Sequence, residues 1–142
     1  MLNRKLIERK LSKIVEYVNE IRQTEIKDFH EFRNNVIVKR FIERNLELAI
    51  EQAIDICRHI AVSTLKKLPE SYAECFELLK EKGVIPEKHA ETYKKMAKFR
   101  NLLIHMYDTV DDEIVYGIYK KHLSDFDLFV NDINQYLQNH SP

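Results

Sequence analysis

Apolar residues along the chain recur mostly at intervals of three and four, the period of an amphipathic helix rather than of a strand. Leu2, Leu6, Ile7, Leu11, Ile14, Val15, Val18 and Ile21 share one face of a first helix, with Lys, Arg and Glu between them. The stretch Gln23 to Asn35 is mixed and more polar, and reads as a connector holding a short helix around Asp28 to Arg33. From Val36 to about Lys66, Ile42, Leu46, Ala49, Ile50, Ala53, Ile56, Cys57 and Ile60 give the strongest periodicity in the chain and predict a long second helix. Pro69 ends it. Ser71 is placed to cap a third helix carrying Tyr72, Cys75, Phe76 and Leu79, and Gly83 closes that one.

Val84 to Glu87 then reads as a turn with Pro86 near the first helical position, and a fourth helix follows from about Glu87 through Tyr107. Asp108 to Asp112 supplies cap candidates and first-turn carboxylates for a last helix. Its stripe of Ile114, Val115, Ile118, Leu123, Phe126, Phe129, Val130, Ile133 and Leu137 runs on despite Gly117 and an irregularity near Ser124. Helices joined by short turns predict an all-α, up-and-down bundle, and 142 residues suit a single domain over 1–142.

Composition narrows the possibilities. With 2 Gly and 3 Pro there are too few breakers for a many-stranded β-fold, and 44% apolar residues is too many for disorder. Lys plus Arg equals Asp plus Glu at 23 each, so any binding to nucleic acid has to be local rather than a matter of overall charge. Cys57 and Cys75 lie inside amphipathic segments without CxxC spacing or a close histidine, which predicts buried free thiols and no metal site. No stretch is long and apolar enough to span a bilayer and the N-terminus has no apolar signal core, so the expected address is cytoplasmic.

The candidate chemistry lies on the fourth helix. On a helical wheel Met96, Phe99, Leu102, Leu103 and Met106 fall together and are expected to enter the core. Lys94, Lys98, Asn101 and His105 follow one another at helical spacing as a polar stripe, with Arg100 beside it and Tyr107 two turns past Arg100. A histidine near neutral pKa can take the proton of a ribose 2′-hydroxyl or protonate a departing 5′-oxygen. An arginine can hold the phosphate as its charge grows. One site is too sparse for both proton transfers, whereas a symmetric dimer brings two histidines and two arginines to one phosphate. Taken by themselves, an arginine and a histidine at this spacing are common on helices, and in most proteins mean only a solvated arginine and a capping histidine.

The segment Arg100-Asn101-Leu102-Leu103-Ile104-His105-Met106-Tyr107 resembles the Arg-x4-His-x-Tyr motif of the HepT toxins, which are HEPN-domain proteins. The resemblance extends to Phe76 to Leu79, Gly83 to Pro86, Met96 to Phe99, Asp108 to Tyr116, and Ile42 to Ile60, and so covers most of the chain. It implies a homodimeric HEPN bundle with a metal-independent endoribonuclease site in a composite cleft. Arg100 and His105 would be catalytic, with Asn101 orienting or contacting the phosphate. Tyr107 would be the tyrosine adenylylated by a partner antitoxin, a minimal nucleotidyltransferase of the MNT type. No cofactor is implied. The alternative is a non-catalytic HEPN module that scaffolds such a nucleotidyltransferase or binds a nucleotide in its cleft.

Other residues carry weaker signals. Lys94 and Lys98 are candidates for steering RNA, and otherwise ordinary solvated lysines. Asp55 and His59, four apart on the second helix, are expected to pair with each other at the surface, or to support the cleft or a dimer contact. His30, His89, His122 and His140 are expected to be solvated, and Tyr93, Tyr116 and Tyr119 to pack the bundle rather than stack on bases.

Overall fold

In the computed structural model, residues 2–105 and 111–140 are described, the His105 side chain excepted. They form seven helices: α1 (Arg4–Arg22), α2 (Phe29–Asn34), α3 (Val36–Ser63), α4 (Tyr72–Glu81), α5 (Ala90–His105), α6 (Asp112–Lys121) and α7 (Ser124–Asn139), with a 3-10 turn at Glu87–His89 leading into α5. The helix starts follow the cap chemistry. Asn3, Asp28, Asn35, Ser71 and Asp111 each accept a backbone N–H of the first turn through the side chain. At the other end of α4, Gly83 takes φ +74°, a value that a residue with a Cβ seldom adopts. This turn lets the Gly83 and Val84 amides reach the carbonyls of Lys80 and Leu79.

Long-range contacts set an alternating order of helix directions. Asn3 meets His59, Lys10 meets Asp55 and Asn45 meets Tyr17, so α1 runs antiparallel to α3. Arg4 reaches the Leu137 carbonyl while Arg22 reaches Asp127, which sets α7 antiparallel to α1. Tyr93 meets Asp132, while Met96 and Phe99 further along α5 share a cavity with Asp125 and Phe126, so α7 runs antiparallel to α5 as well. α4 packs against both α3 and α5. The buried apolar cluster runs from Ile7 to Leu137 and includes Phe32, Leu46, Phe76, Tyr93 and Phe129. Among the described residues no helix is long and apolar enough to cross a membrane.

The structure corrects the expected last helix, which divides into α6 and α7 at His122 and Leu123. The two halves pack on different partners, so one straight rod cannot serve both. Tyr116 of α6 lies against Phe29 and Phe32 of α2, and the Tyr119 hydroxyl donates to the Thr24 carbonyl at 3.2 Å. By contrast, α7 lies along α1. Gly117, the more obvious breaker, is accommodated inside α6.

Three smaller expectations resolve in the same way. Cys57 and Cys75 are buried free thiols, as predicted, and they face each other across α3 and α4. Burial, reinforced by the neighbouring thiol, pushes Cys57 well above the ordinary thiol range and keeps it protonated. Asp55 and His59 do not pair with each other. Asp55 accepts Lys10 at 3.2 Å, and His59 accepts the Asn3 amide at 2.9 Å, so both fasten α1 to α3. Burial lowers the His59 pKa, and the positive charge of Lys10 adds to the effect.

His89 is likewise not a solvated histidine. Its Nδ1 is 2.8 Å from a carboxylate oxygen of Asp132, which is only 5% exposed. The same oxygen accepts the Tyr93 hydroxyl. A buried carboxylate needs such partners, and the 3-10 turn and α5 bring them to α7. Tyr93, Tyr116 and Tyr119 are packing residues, as expected, with Tyr93 fully buried against Phe76 and Phe129.

Candidate active site

α5 carries the candidate residues, and its orientation differs from the wheel expected on apolar content alone. The inward arc holds Phe99, Leu103, Tyr93, Ala97 and Ala90, which are all buried. At about 100° per residue Arg100 falls within about 20° of Tyr93, in the middle of that arc. Leu102, expected in the core, falls on the far side and is half-exposed. Arg100 is thus not a surface residue beside a polar stripe. Its guanidinium lies between α3 and α4, against Glu51 of the one and Tyr72 of the other.

The side chain of Arg100 is 17% exposed. Nη1 donates to the Tyr72 hydroxyl at 3.2 Å, and Nη2 is 3.7 Å from a carboxylate oxygen of Glu51. The guanidinium carbon is 5.8 Å from the centroid of the Tyr72 ring. Nε is sealed from solvent and has no hydrogen-bond partner among the described residues. α3 supplies the carboxylate, the first residue of α4 supplies the phenol, and α5 supplies the cation. A guanidinium held from two sides is restricted in direction before any ligand arrives, which is the preorganisation that anion recognition gains from.

Asn101, the next residue, is half-buried and lines an open groove of about 710 Å³ between the end of α3, the start of α4 and the outer face of α5. On the same wheel it falls between Arg100 and His105. His105 is the last residue of α5, about 7.5 Å further along the axis at 1.5 Å per residue. Its side chain, Met106 and Tyr107 lie outside the described residues. Of the two lysines singled out from sequence, Lys94 is engaged by Glu77 at 2.5 Å and Glu91 at 3.2 Å. Lys98 is exposed and has no carboxylate within 4.0 Å among the described residues. Glu77 serves Lys80 and Lys94 together, and hydrogen bonds from both hold its carboxyl below the ordinary range. Neither Tyr72 nor Glu51 was legible as a site residue. Glu51 stands among similar glutamates on α3, and no local spacing links either residue to α5.

Residues 4–133 match the family Ribonuclease HepT-like. The chain belongs to this family. It is 28% identical over 128 residues to the mRNA nuclease HepT of Shewanella oneidensis, covering 90% of this chain and 96% of that protein. With the tRNA nuclease HepT of Aphanizomenon flos-aquae it shares 30% identity over 134 residues, covering 93% of this chain and 90% of the relative. The fold superposes on that of the tri-AMPylated Shewanella oneidensis HEPN toxin, solved in complex with its MNT antitoxin. The TM-score is 0.84 at 27% identity, with 94% of this chain and 99% of that one covered. This HepT-like chain thus has the all-helical architecture of a HEPN toxin, and its Arg100 segment lies within the matched span.

Proposed function

We propose that the HepT-like chain is the toxin of a toxin–antitoxin pair, an endoribonuclease that cuts RNA without a metal ion at a cleft shared by two copies. The observation that carries this reading is Arg100, turned inward and held by Tyr72 and Glu51 five residues before His105 on the same helix. In the cleavage step a histidine imidazole takes the proton of the ribose 2′-hydroxyl, whose oxygen attacks the adjoining phosphorus. The bond to the 5′-oxygen breaks, and a second imidazole returns a proton to it, leaving a 2′,3′-cyclic phosphate and a 5′-hydroxyl. Arg100 offsets the charge that develops on the phosphoryl oxygens, and Asn101 orients the phosphate. Each copy contributes one His105, so a homodimer supplies the base and the acid.

The whole chain acts as one HEPN unit in this reading, in the cytoplasm where RNA and ATP are at hand. The partner is an MNT-type nucleotidyltransferase that transfers AMP from ATP to the Tyr107 hydroxyl with release of pyrophosphate. The added phosphate lies two residues from His105 and competes with the RNA phosphate for the guanidinium.

The test is cleavage of single-stranded RNA and of tRNA by the purified chain with a chelator present. Wild type cuts, and His105→Ala loses at least about 100-fold, the scale of a general acid–base contribution. Sedimentation finds a dimer at micromolar concentration. Cutting that stops with the chelator, or that persists in His105→Ala, overturns the assignment. An inert wild type that still forms a dimer and binds a nucleotidyltransferase makes the chain a scaffold instead.

A further inference from the structure

The groove beside Arg100 has a charge pattern of its own. Arg58, from the last turns of α3, and Lys95 and Lys98, from α5, all line it, and all three are exposed. None of them has a carboxylate within 4.0 Å among the described residues, whereas Lys94, in the same groove, is already neutralised by Glu77 and Glu91. Glu70 and Glu91 are the acids on the rim, and Glu91 already faces Lys94. The chain as a whole has no net charge, so three cations from two helices around one concave surface form a local positive site on a neutral protein.

This groove is continuous with the candidate active site. Tyr72 lines it and also holds Arg100, and Asn101 lines it directly after Arg100 in the chain. A volume near 710 Å³ is in the range of about 300–1,000 Å³ in which small molecules and nucleotide-sized groups are held. A polyanion entering the cleft to place one phosphate at Arg100 therefore meets a second set of donors, which are hydrated and free to turn toward it. Arg58 is the best placed of these to bind a phosphate through two N–H groups.

We propose that this groove is the subsite for the phosphate adjoining the scissile one on single-stranded RNA, with Arg58 and Lys98 as its principal ligands and Lys95 at its outer edge. The proposal rests on the reading of Arg100 and His105 as an RNA-cleaving site. It adds Arg58, which lies more than forty residues from the motif, and it divides the two lysines of the polar stripe. Lys98 binds RNA, and Lys94 props α4 against α5 through Glu77.

The test separates binding from cutting. The full-length chain is titrated with a fluorescent single-stranded RNA that is 2′-O-methylated throughout, so it binds without being cleaved, and anisotropy is followed across a series of salt concentrations. Arg58→Ala and Lys98→Ala each weaken binding about 5- to 10-fold. Each also lowers the slope of log affinity against log salt by about 0.7, the share of one phosphate contact on a single strand. The double variant loses both contributions, and Lys94→Ala and the distant Lys27→Ala leave the slope unchanged. With cleavable substrates the double variant raises KM on a long RNA by a larger factor than on a dinucleotide, which has no adjoining phosphate.

An unchanged affinity and slope in the double variant overturn the proposal whether or not the wild type cuts RNA, and mark the groove as a protein-docking face. Wild-type binding with the expected slopes but no cleavage keeps the subsite and removes the nuclease reading. Circular dichroism melts of the Arg58, Lys98 and Lys27 variants are expected to coincide with that of the wild type, because those side chains are exposed, whereas Lys94→Ala is expected to melt lower through loss of its contacts to Glu77 and Glu91.

Discussion

The Tyr72 hydroxyl accepts Nη1 of Arg100 at 3.2 Å while the Tyr72 ring lies 5.8 Å from the guanidinium carbon, so one side chain fixes both the position and the tilt of the cation. Tyr72 and Glu51 are positioning residues in this arrangement, acting through Arg100. Tyr72→Phe keeps the ring and removes the acceptor. It is expected to lower kcat about tenfold, from the loss of one charge-assisted hydrogen bond, with little change in KM. Glu51→Gln acts in the same direction. Tyr72→Leu, which removes the ring as well, is slower than Tyr72→Phe. Single-turnover cleavage under saturating RNA measures this, and equal rates for Tyr72→Phe and wild type rule out the positioning role.

Arg100 contributes to the fold as well as to the candidate site. Arg100 belongs to the inward arc of α5, so Arg100→Ala removes packing along its stem and leaves the Tyr72 hydroxyl and Glu51 without their cation. Both Arg100→Ala and His105→Ala are expected to abolish cleavage. Arg100→Ala also costs about 1–2 kcal/mol, which lowers Tm by several degrees in a domain of this size. Differential scanning calorimetry distinguishes the two. A wild-type Tm for Arg100→Ala shows that its inward placement contributes nothing to stability.

Alkaline pH provides an independent test of the core. Burial raises the Tyr93 pKa well above that of a free tyrosine, and the hydrogen bond to the Asp132 carboxylate raises it further. The unfolded chain releases this proton near pH 10 and the folded chain does not. The native state therefore binds more protons above that pH, and stability falls as pH rises from about 10 toward the folded pKa. Ultraviolet titration is expected to show one tyrosine that ionises only on unfolding. Tyr93→Phe removes that component and flattens the fall, and tyrosinate formation at Tyr93 ahead of unfolding contradicts the buried pair.

Control by adenylylation is read by mass. After co-expression with the cognate nucleotidyltransferase, peptide analysis is expected to find AMP on Tyr107, and the modified chain no longer cuts RNA. Tyr107→Phe stays active and escapes inhibition. An adduct on Tyr116 or Tyr119, or full silencing of Tyr107→Phe, assigns control to another residue or another route.

The bundle was legible from apolar spacing because α1, α3 and α4 bury one face each and begin at capping residues that declare themselves locally. The division of α6 from α7 was not, since their stripe is continuous in sequence and only their separate partners, α2 and α1, pull them apart. At the candidate site the motif could be read along α5, but the direction of Arg100 could not. Charge suggested the surface, and the decisive feature is the pair of contacts from Glu51 and Tyr72, which come from elements distant in sequence. Asp132 was missed for the same reason, as its partners His89 and Tyr93 lie about forty residues away.

α6 buries only Val115 fully, whereas α7 buries six residues including Phe126, Phe129 and Ile133. It is held on by the aromatic contacts to α2, by the Tyr119 hydroxyl and by the ion pair of Lys39 with Asp112 at 3.3 Å. Its amides therefore exchange with solvent through a local opening of lower free energy than the one that exposes α3. The start of α6 lies five residues after Tyr107 in the chain. A partner enzyme that drew Tyr107 into its own cleft would work against this lightly buried helix and could leave the four long helices folded.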